Sequence, residues 1–232
     1  GTARAKEASD ITIIDNSFAS INTAILWGRS LYQNIRRFII FQMTINVAAC
    51  LIVLYGAFMG LDSPLNVTQM LWVNLIMDTF AAMALSSLPA DHRVMNDYPR
   101  KTDSKIIDRG MGKMILGVGL FFFLMLVIIW QMLSHGEYTT VVNLLRNFDW
   151  DHVTDFSQAT HVRNPHELGI FFTFVVLLQF WNIFNARYYR TDRSLIQDLG
   201  EMVCHPTSIA KHYSSGFISI IFVILIGQIL IT

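Results

Sequence analysis

Five apolar runs punctuate the 232-residue chain, at 38–58, 67–88, 114–133, 168–186 and 217–231. A helix crosses the roughly 30 Å hydrocarbon core of a bilayer with about 20 residues. Four of the runs reach that length and the fifth falls short of it. None alternates with period two, and lipid offers no partner to a bare backbone amide, so each run is expected to be a helix. The fold expected is an all-α polytopic membrane protein, a bundle of about five transmembrane helices. Composition agrees: 15% of residues are charged, against about 25% in soluble domains. A formal net charge of zero gives no global field for nucleic acid, so the lipid bilayer is the partner expected.

Lysine and arginine set the orientation. Arg4, Lys6, Arg29, Arg36 and Arg37 precede the first run, and Arg93, Arg100, Lys101, Lys105 and Arg109 follow the second. Arg187, Arg190, Arg193 and Lys211 follow the fourth. The connection at 60–64 has no basic residue, and the loop at 134–167 has only Arg146 and Arg163. Alternate loops are basic, so the N-terminus is expected to be cytoplasmic. Cys50 lies in an apolar run and Cys204 in a polar loop, so they are expected to be separate reduced thiols.

The first 35 residues differ. Ile11–Ile14 reads as a short strand, and Asp15-Asn16-Ser17 supplies turn and helix-capping chemistry. Beyond it, Phe18, Ile21, Ile25, Tyr32, Ile35 and Ile39 recur near helical spacing, with no proline before the first run. One long helix is expected to pass from a short cytoplasmic strand-turn remnant into the membrane, as a strut. The alternative is two helices bent near Gly28. Asp149, Asp151, His152, Asp155 and His161 in the loop at 134–167 lack compact ligand spacing and read as a solvated loop.

Polar groups within spans mark the chemistry. Asp78 is the one acid near the middle of a run, where it costs about 2.5–3.5 kcal/mol on insertion scales. Asn74 precedes it by four residues, on the same face of a regular helix. Asn46 lies mid-way along the neighbouring run. Three side-chain oxygens can thus converge, and hard oxygens suit Ca²⁺, which takes 6–8 of them. One carboxylate cannot complete that shell. Gln179, Asn182 and Asn185 read as interhelical hydrogen-bonding residues, and Gln42 and Thr44 as packing or vestibule residues.

Leu71–Thr79 (LWVNLIMDT) resembles the sixth transmembrane helix of plasma-membrane-type (type IIB) calcium-transporting P-type ATPases. Phe41–Val47 (FQMTINV) resembles their fifth, Gln179–Arg187 (QFWNIFNAR) is similar to their eighth, and Gly1–Asp10 resembles the close of their phosphorylation domain. The resemblance covers nearly the whole chain in order. It implies that residues 1–17 end the cytoplasmic phosphorylation domain. Residues 18–232 then form the transmembrane domain, helices five to nine of ten, with both chain ends as cuts. It implies Ca²⁺ as the transported ion, held by Asn46, Asn74 and Asp78, with no catalytic residue in this chain. ATP and Mg²⁺ would act in the missing N-terminal portion of the pump. Relatives that carry two calcium ions have glutamates where this chain has Ala49 and Gln179, which implies one ion per cycle. A pump for another divalent cation such as Mn²⁺, and a non-catalytic membrane module, remain the alternatives. An ion-coupled carrier has no need of the strut.

The orientation can be checked by labelling. With an impermeant thiol reagent on intact cells, Cys204 should stay unmodified while a cysteine placed at Asp151 reacts. The reverse pattern overturns the orientation.

Overall fold

The structure is a computed structural model. It describes residues 2–12, 14–15, 17–60, 67–71, 74–75, 78–99, 103–135 and 165–191, with positions 219, 222, 223 and 226. Residues 61–66, most of the loop at 134–167, the segment around Cys204 and most of the fifth run lie outside the described residues. Six helices are described: α1 (Ala3–Glu7), α2 (Phe18–Met59), α3 (Val67–Leu71), α4 (Asp78–Ser86), α5 (Arg109–His135) and α6 (Pro165–Arg187). A 3-10 turn, His92–Asn96, lies between α4 and α5. Three of the helices, α2, α5 and α6, are long and apolar enough to cross a membrane. The isolated positions in the fifth run, Ser219, Phe222, Val223 and Ile226, are helical and exposed.

The long first helix is present as expected. α2 has 42 residues, roughly 63 Å at about 1.5 Å per residue, or twice the hydrocarbon thickness. Gly28 sits inside it without a break. The start is organised by Asp15, whose carboxylate accepts from the Ser17 amide at 3.2 Å and from the Ser20 hydroxyl. Ser17 itself makes no side-chain cap. The end is a left-handed Gly60 at φ 67°, its amide turned back onto the carbonyls of Ala57 and Gly56. Glycine adopts that conformation without the Cβ penalty other residues carry.

The expected strand does not form. Ile11 and Thr12 have no regular structure and Ile14 is in a bend. Ile11 is 79% and Ile14 96% exposed. A strand needs a neighbour to pair its amides, and no strand exists among the described residues. Helix α1 occupies the stretch before it, with the Thr2 side chain accepting from the Ala5 amide.

α2 is the spine: it packs against α4, α5, α6 and the 3-10 turn. Two apolar clusters stack along it. Near its middle, Ile40 and Phe41 meet Leu85 of α4, Met111 of α5 and Ile183 of α6. Toward its C-terminus, Ile52 meets Leu126 and Trp130 of α5 and Phe171 and Val175 of α6. As α2 and α5 numbers rise, those of α6 fall, so α6 runs antiparallel to both. On α5, Leu116, Leu120 and Leu124 form an exposed apolar stripe at four-residue spacing, the face a bilayer would solvate.

Polar clasps fix the basic end of the bundle. Arg29 donates to the carbonyls of Val94 and Asp97, each at 2.9 Å, and the Asp91 amide donates to Ser30 Oγ at 3.1 Å. Arg36 pairs with Asp108, donates to the Tyr189 hydroxyl at 3.2 Å and lies over that ring. It thereby joins α2, the start of α5 and the end of α6. The Met111 amide, with the Arg36 guanidinium, holds the Asp108 carboxyl below the usual carboxylate range. Arg29, Arg36, Asp97 and Tyr189 line a cavity of about 370 Å³ together with Tyr98 and Arg190.

The tightest helix contact is at Gly119 of α5. A Cβ there would lie 2.9 Å from Val47 Cγ1 and 3.2 Å from the Thr44 carbonyl oxygen. The carbonyl cannot swing aside without disturbing α2. Gly119→Ala should therefore destabilise the bundle by about 1–3 kcal/mol through overpacking, seen as a lowered melting temperature in detergent. Gly117→Ala, which meets nothing within 4 Å, serves as the control. Equal melting of the two variants would refute the close approach.

Candidate functional site

The second apolar run is not one uniform helix. Helix is described at Val67–Leu71 and again from Asp78, while Asn74 and Leu75 adopt a π-type turn. A π turn closes i→i+5 rather than i→i+4, and such turns often occur at functional sites. The wider turn changes which residues share a face. Asn74 is exposed, whereas Asp78, the first residue of α4, is 5% exposed. The face-sharing expected of four-residue spacing is not what these two residues show, because that expectation holds only for regular α-helix.

Asp78 faces α2. Its Oδ2 accepts from Gln42 Nε2 at 2.5 Å, while Oδ1 is buried without a partner. Asp78 makes no ion pair among the described residues. A buried carboxylate answered by one neutral donor is under-compensated, and in an apolar surround that is costly. Such a group is poised to take a cation.

Asn46 is half-buried on α2, one turn beyond Gln42 and so on the same face. No hydrogen bond among the described residues joins Asn46 or Asn74 to Asp78. Gln42 is thus the side chain that the structure brings to Asp78, a contact that the packing or vestibule role read from sequence did not name. The available signal was spacing: Gln42 precedes Asn46 by four residues.

Further buried polar atoms lie where α2 meets α6. Asn182, fully buried, donates through Nδ2 to the Phe41 carbonyl at 3.0 Å, which is the interhelical role expected of it. Gln179 is also fully buried, yet neither amide atom has a partner among the described residues. Thr44 Oγ1 is likewise unpartnered. Antiparallel α2 and α6 place Thr44 and Gln179 on the same level, one turn beyond the Phe41–Asn182 bond. Asn185 is half-buried. Among the described residues, no group of three or more His, Cys, Asp or Glu could hold a metal. The arginine-lined cavity at the basic end is a poorer candidate: Arg29 and Arg36 already have carbonyl and carboxylate partners there.

Comparison with known proteins gives a consistent result. Residues 62–232 match the family model described as the C-terminus of cation-transporting ATPases. The chain is 37% identical over 199 residues to plasma membrane calcium-transporting ATPase 2 of Oreochromis mossambicus, covering 86% of this chain and 17% of that protein. It is 38% identical over the same length to plasma membrane calcium-transporting ATPase 1 of Oryctolagus cuniculus and ATPase 3 of Homo sapiens, 15% of either being covered. The chain spans less than a fifth of the length of these relatives.

Proposed function

The chain belongs to the cation-transporting ATPases, as part of their C-terminal membrane region, and from this we propose that it carries the ion-binding half of an ATP-driven Ca²⁺ pump. The relatives are named as calcium transporters of the plasma membrane. The observation that carries the reading is Asp78: a carboxylate 5% exposed, with one oxygen unpartnered, in a helix next to a π turn. Asn46 and Asn74 are the neutral oxygens proposed to join it when the ion is bound, with movement in the π turn bringing Asn74 inward. Further ligands, ATP hydrolysis and its Mg²⁺ belong to parts of the pump outside this chain. Residues 1–17 are proposed to end the phosphorylation domain, and the N-terminus to be cytoplasmic. Motion there reaches the ion along α2, which runs roughly 36 Å from Phe18 to Gln42, past the clasped basic end and on to the Gln42–Asp78 contact.

In the full-length pump, Asp78→Asn keeps size and shape while removing the charge. The apparent affinity for Ca²⁺ should fall by about tenfold or more, the loss of roughly 1.4 kcal/mol or more of binding. Phosphorylation by inorganic phosphate, which requires an ion-free site, should persist and lose its sensitivity to calcium. An unchanged calcium affinity in a folded Asp78→Asn pump would rule out Asp78 as a ligand.

The same charge logic fixes the stoichiometry. Two divalent ions at close range repel strongly in a low-dielectric site, and Ala49 and Gln179 offer no negative charge to offset that. Equilibrium binding of ⁴⁵Ca²⁺ to the full-length pump should approach one ion per phosphorylation site. A ratio near two refutes single-ion transport.

A further inference from the structure

The Gln42–Asp78 contact has two ends. Gln42 Nε2 donates to Asp78 Oδ2. The remaining oxygens, Gln42 Oε1 and Asp78 Oδ1, are both buried and both without a partner among the described residues. They belong to different helices, α2 and α4, tied together by the bond between their own side chains. A packing residue at position 42 would not leave an amide oxygen unanswered beside an under-compensated carboxylate, since each unpaired buried polar group costs about 1–3 kcal/mol. Two unpartnered oxygens flanking one hydrogen bond, one anionic and one neutral, make the start of a hard-cation shell. Asn46, one turn on along the same face of α2, extends the row of side-chain oxygens.

We propose that Gln42 is a further residue of the cation site, orienting the Asp78 carboxylate through Nε2 and offering Oε1 to the transported ion as a neutral ligand. The bond to Oδ2 holds the carboxylate so that Oδ1 is the open oxygen. It also keeps the charge partly compensated while the site is ion-free, so the empty site does not need a protein cation that the incoming ion must displace. No Lys or Arg among the described residues is bonded to Asp78, so the amide fills a place that a basic residue would otherwise block. This inference rests on the reading of Asp78 as a ligand, and the test separates the two.

The test uses the full-length pump. Gln42→Leu keeps approximate volume and removes both polar atoms. Half-maximal Ca²⁺ for phosphorylation by ATP should rise by about ten- to a hundredfold, the range seen when the partner of a metal ligand is lost. That shift should be larger than any fall in maximal turnover at saturating Ca²⁺ or in phosphorylation by inorganic phosphate without Ca²⁺, each measured per folded pump. A merely structural residue would lower those two activities together and leave the half-maximal concentration alone; that result overturns the proposal. Gln42→Asn, one methylene shorter and unable to span to α4, should give the same shift and serves where the leucine variant does not accumulate. Asp78→Asn run in parallel distinguishes the failures. If it shifts calcium affinity and Gln42→Leu does not, only the role of Gln42 falls; if it shifts nothing, the reading of Asp78 falls first. The double variant tests the oxygen. Weaker binding than in Asp78→Asn alone supports a direct contribution from Oε1, and equality overturns it.

Discussion

A carboxylate inside an apolar bundle is tolerated only if something answers its charge, and here one amide does so. Asp78 is 5% exposed and its described hydrogen-bond partner is the neutral Gln42. Replacing the amide by lysine or arginine would satisfy the carboxylate fully and make a static ion pair of it, since buried pairs break only at a cost of about 3–5 kcal/mol. Under the proposed function, the weaker answer leaves a site that a divalent cation can enter and leave. Gln42 comes from α2, which is the fixed member of the pair.

α2 can be the fixed member because it is engaged from Arg29 to Ile52. Its basic end is clasped by Arg29 to the 3-10 turn and by Arg36 to Asp108 and Tyr189. Its middle is wedged against Gly119, where the backbones of α2 and α5 come close enough to leave no room for a Cβ. Its far half is packed into the cluster around Trp130 and Phe171. A displacement applied along such a rod is little absorbed by bending, because α2 is continuous α-helix with neither a proline nor a π turn, two of the usual causes of a sharp kink. Under the proposed function, α2 carries domain motion to Gln42 and hence to Asp78.

Much of this was legible in the sequence, for reasons that can be located. Long apolar runs state their own conformation because lipid permits little else, which is why α2, α5 and α6 lie where hydropathy puts them. The unbroken passage through Gly28 followed from helical spacing on both sides and the absence of proline. Ile11–Ile14 misled because β-branched residues describe only a preference, and a strand is realised by pairing that no neighbour supplies. The face shared by Asn74 and Asp78 misled because a spacing argument assumes a helix period, and the π turn changes it. Gln42 was passed over because an amide at a helix interface usually bonds to another helix, as Asn182 does to Phe41. Nothing in composition distinguishes an amide that meets a carbonyl from one that meets a carboxylate.

The contrast between Asn182 and Gln179 bears on how many ions such a bundle can hold. Both are fully buried on α6, about one turn apart and so on one side of that helix. Asn182 has spent its donor on the backbone of α2, so its position is fixed by packing. Gln179 has neither amide atom engaged, at the level of the equally unengaged Thr44 Oγ1. Together they offer oxygens and a hydroxyl but no charge. A divalent ion placed there would face only neutral dipoles, one turn from a second ion already using Asp78. Under the proposed function, with a single carboxylate among the described polar side chains buried where α2, α4 and α6 meet, charge balance favours one ion near Asp78. The α6 amides are then better suited to steering and hydrating that ion's surroundings than to binding another.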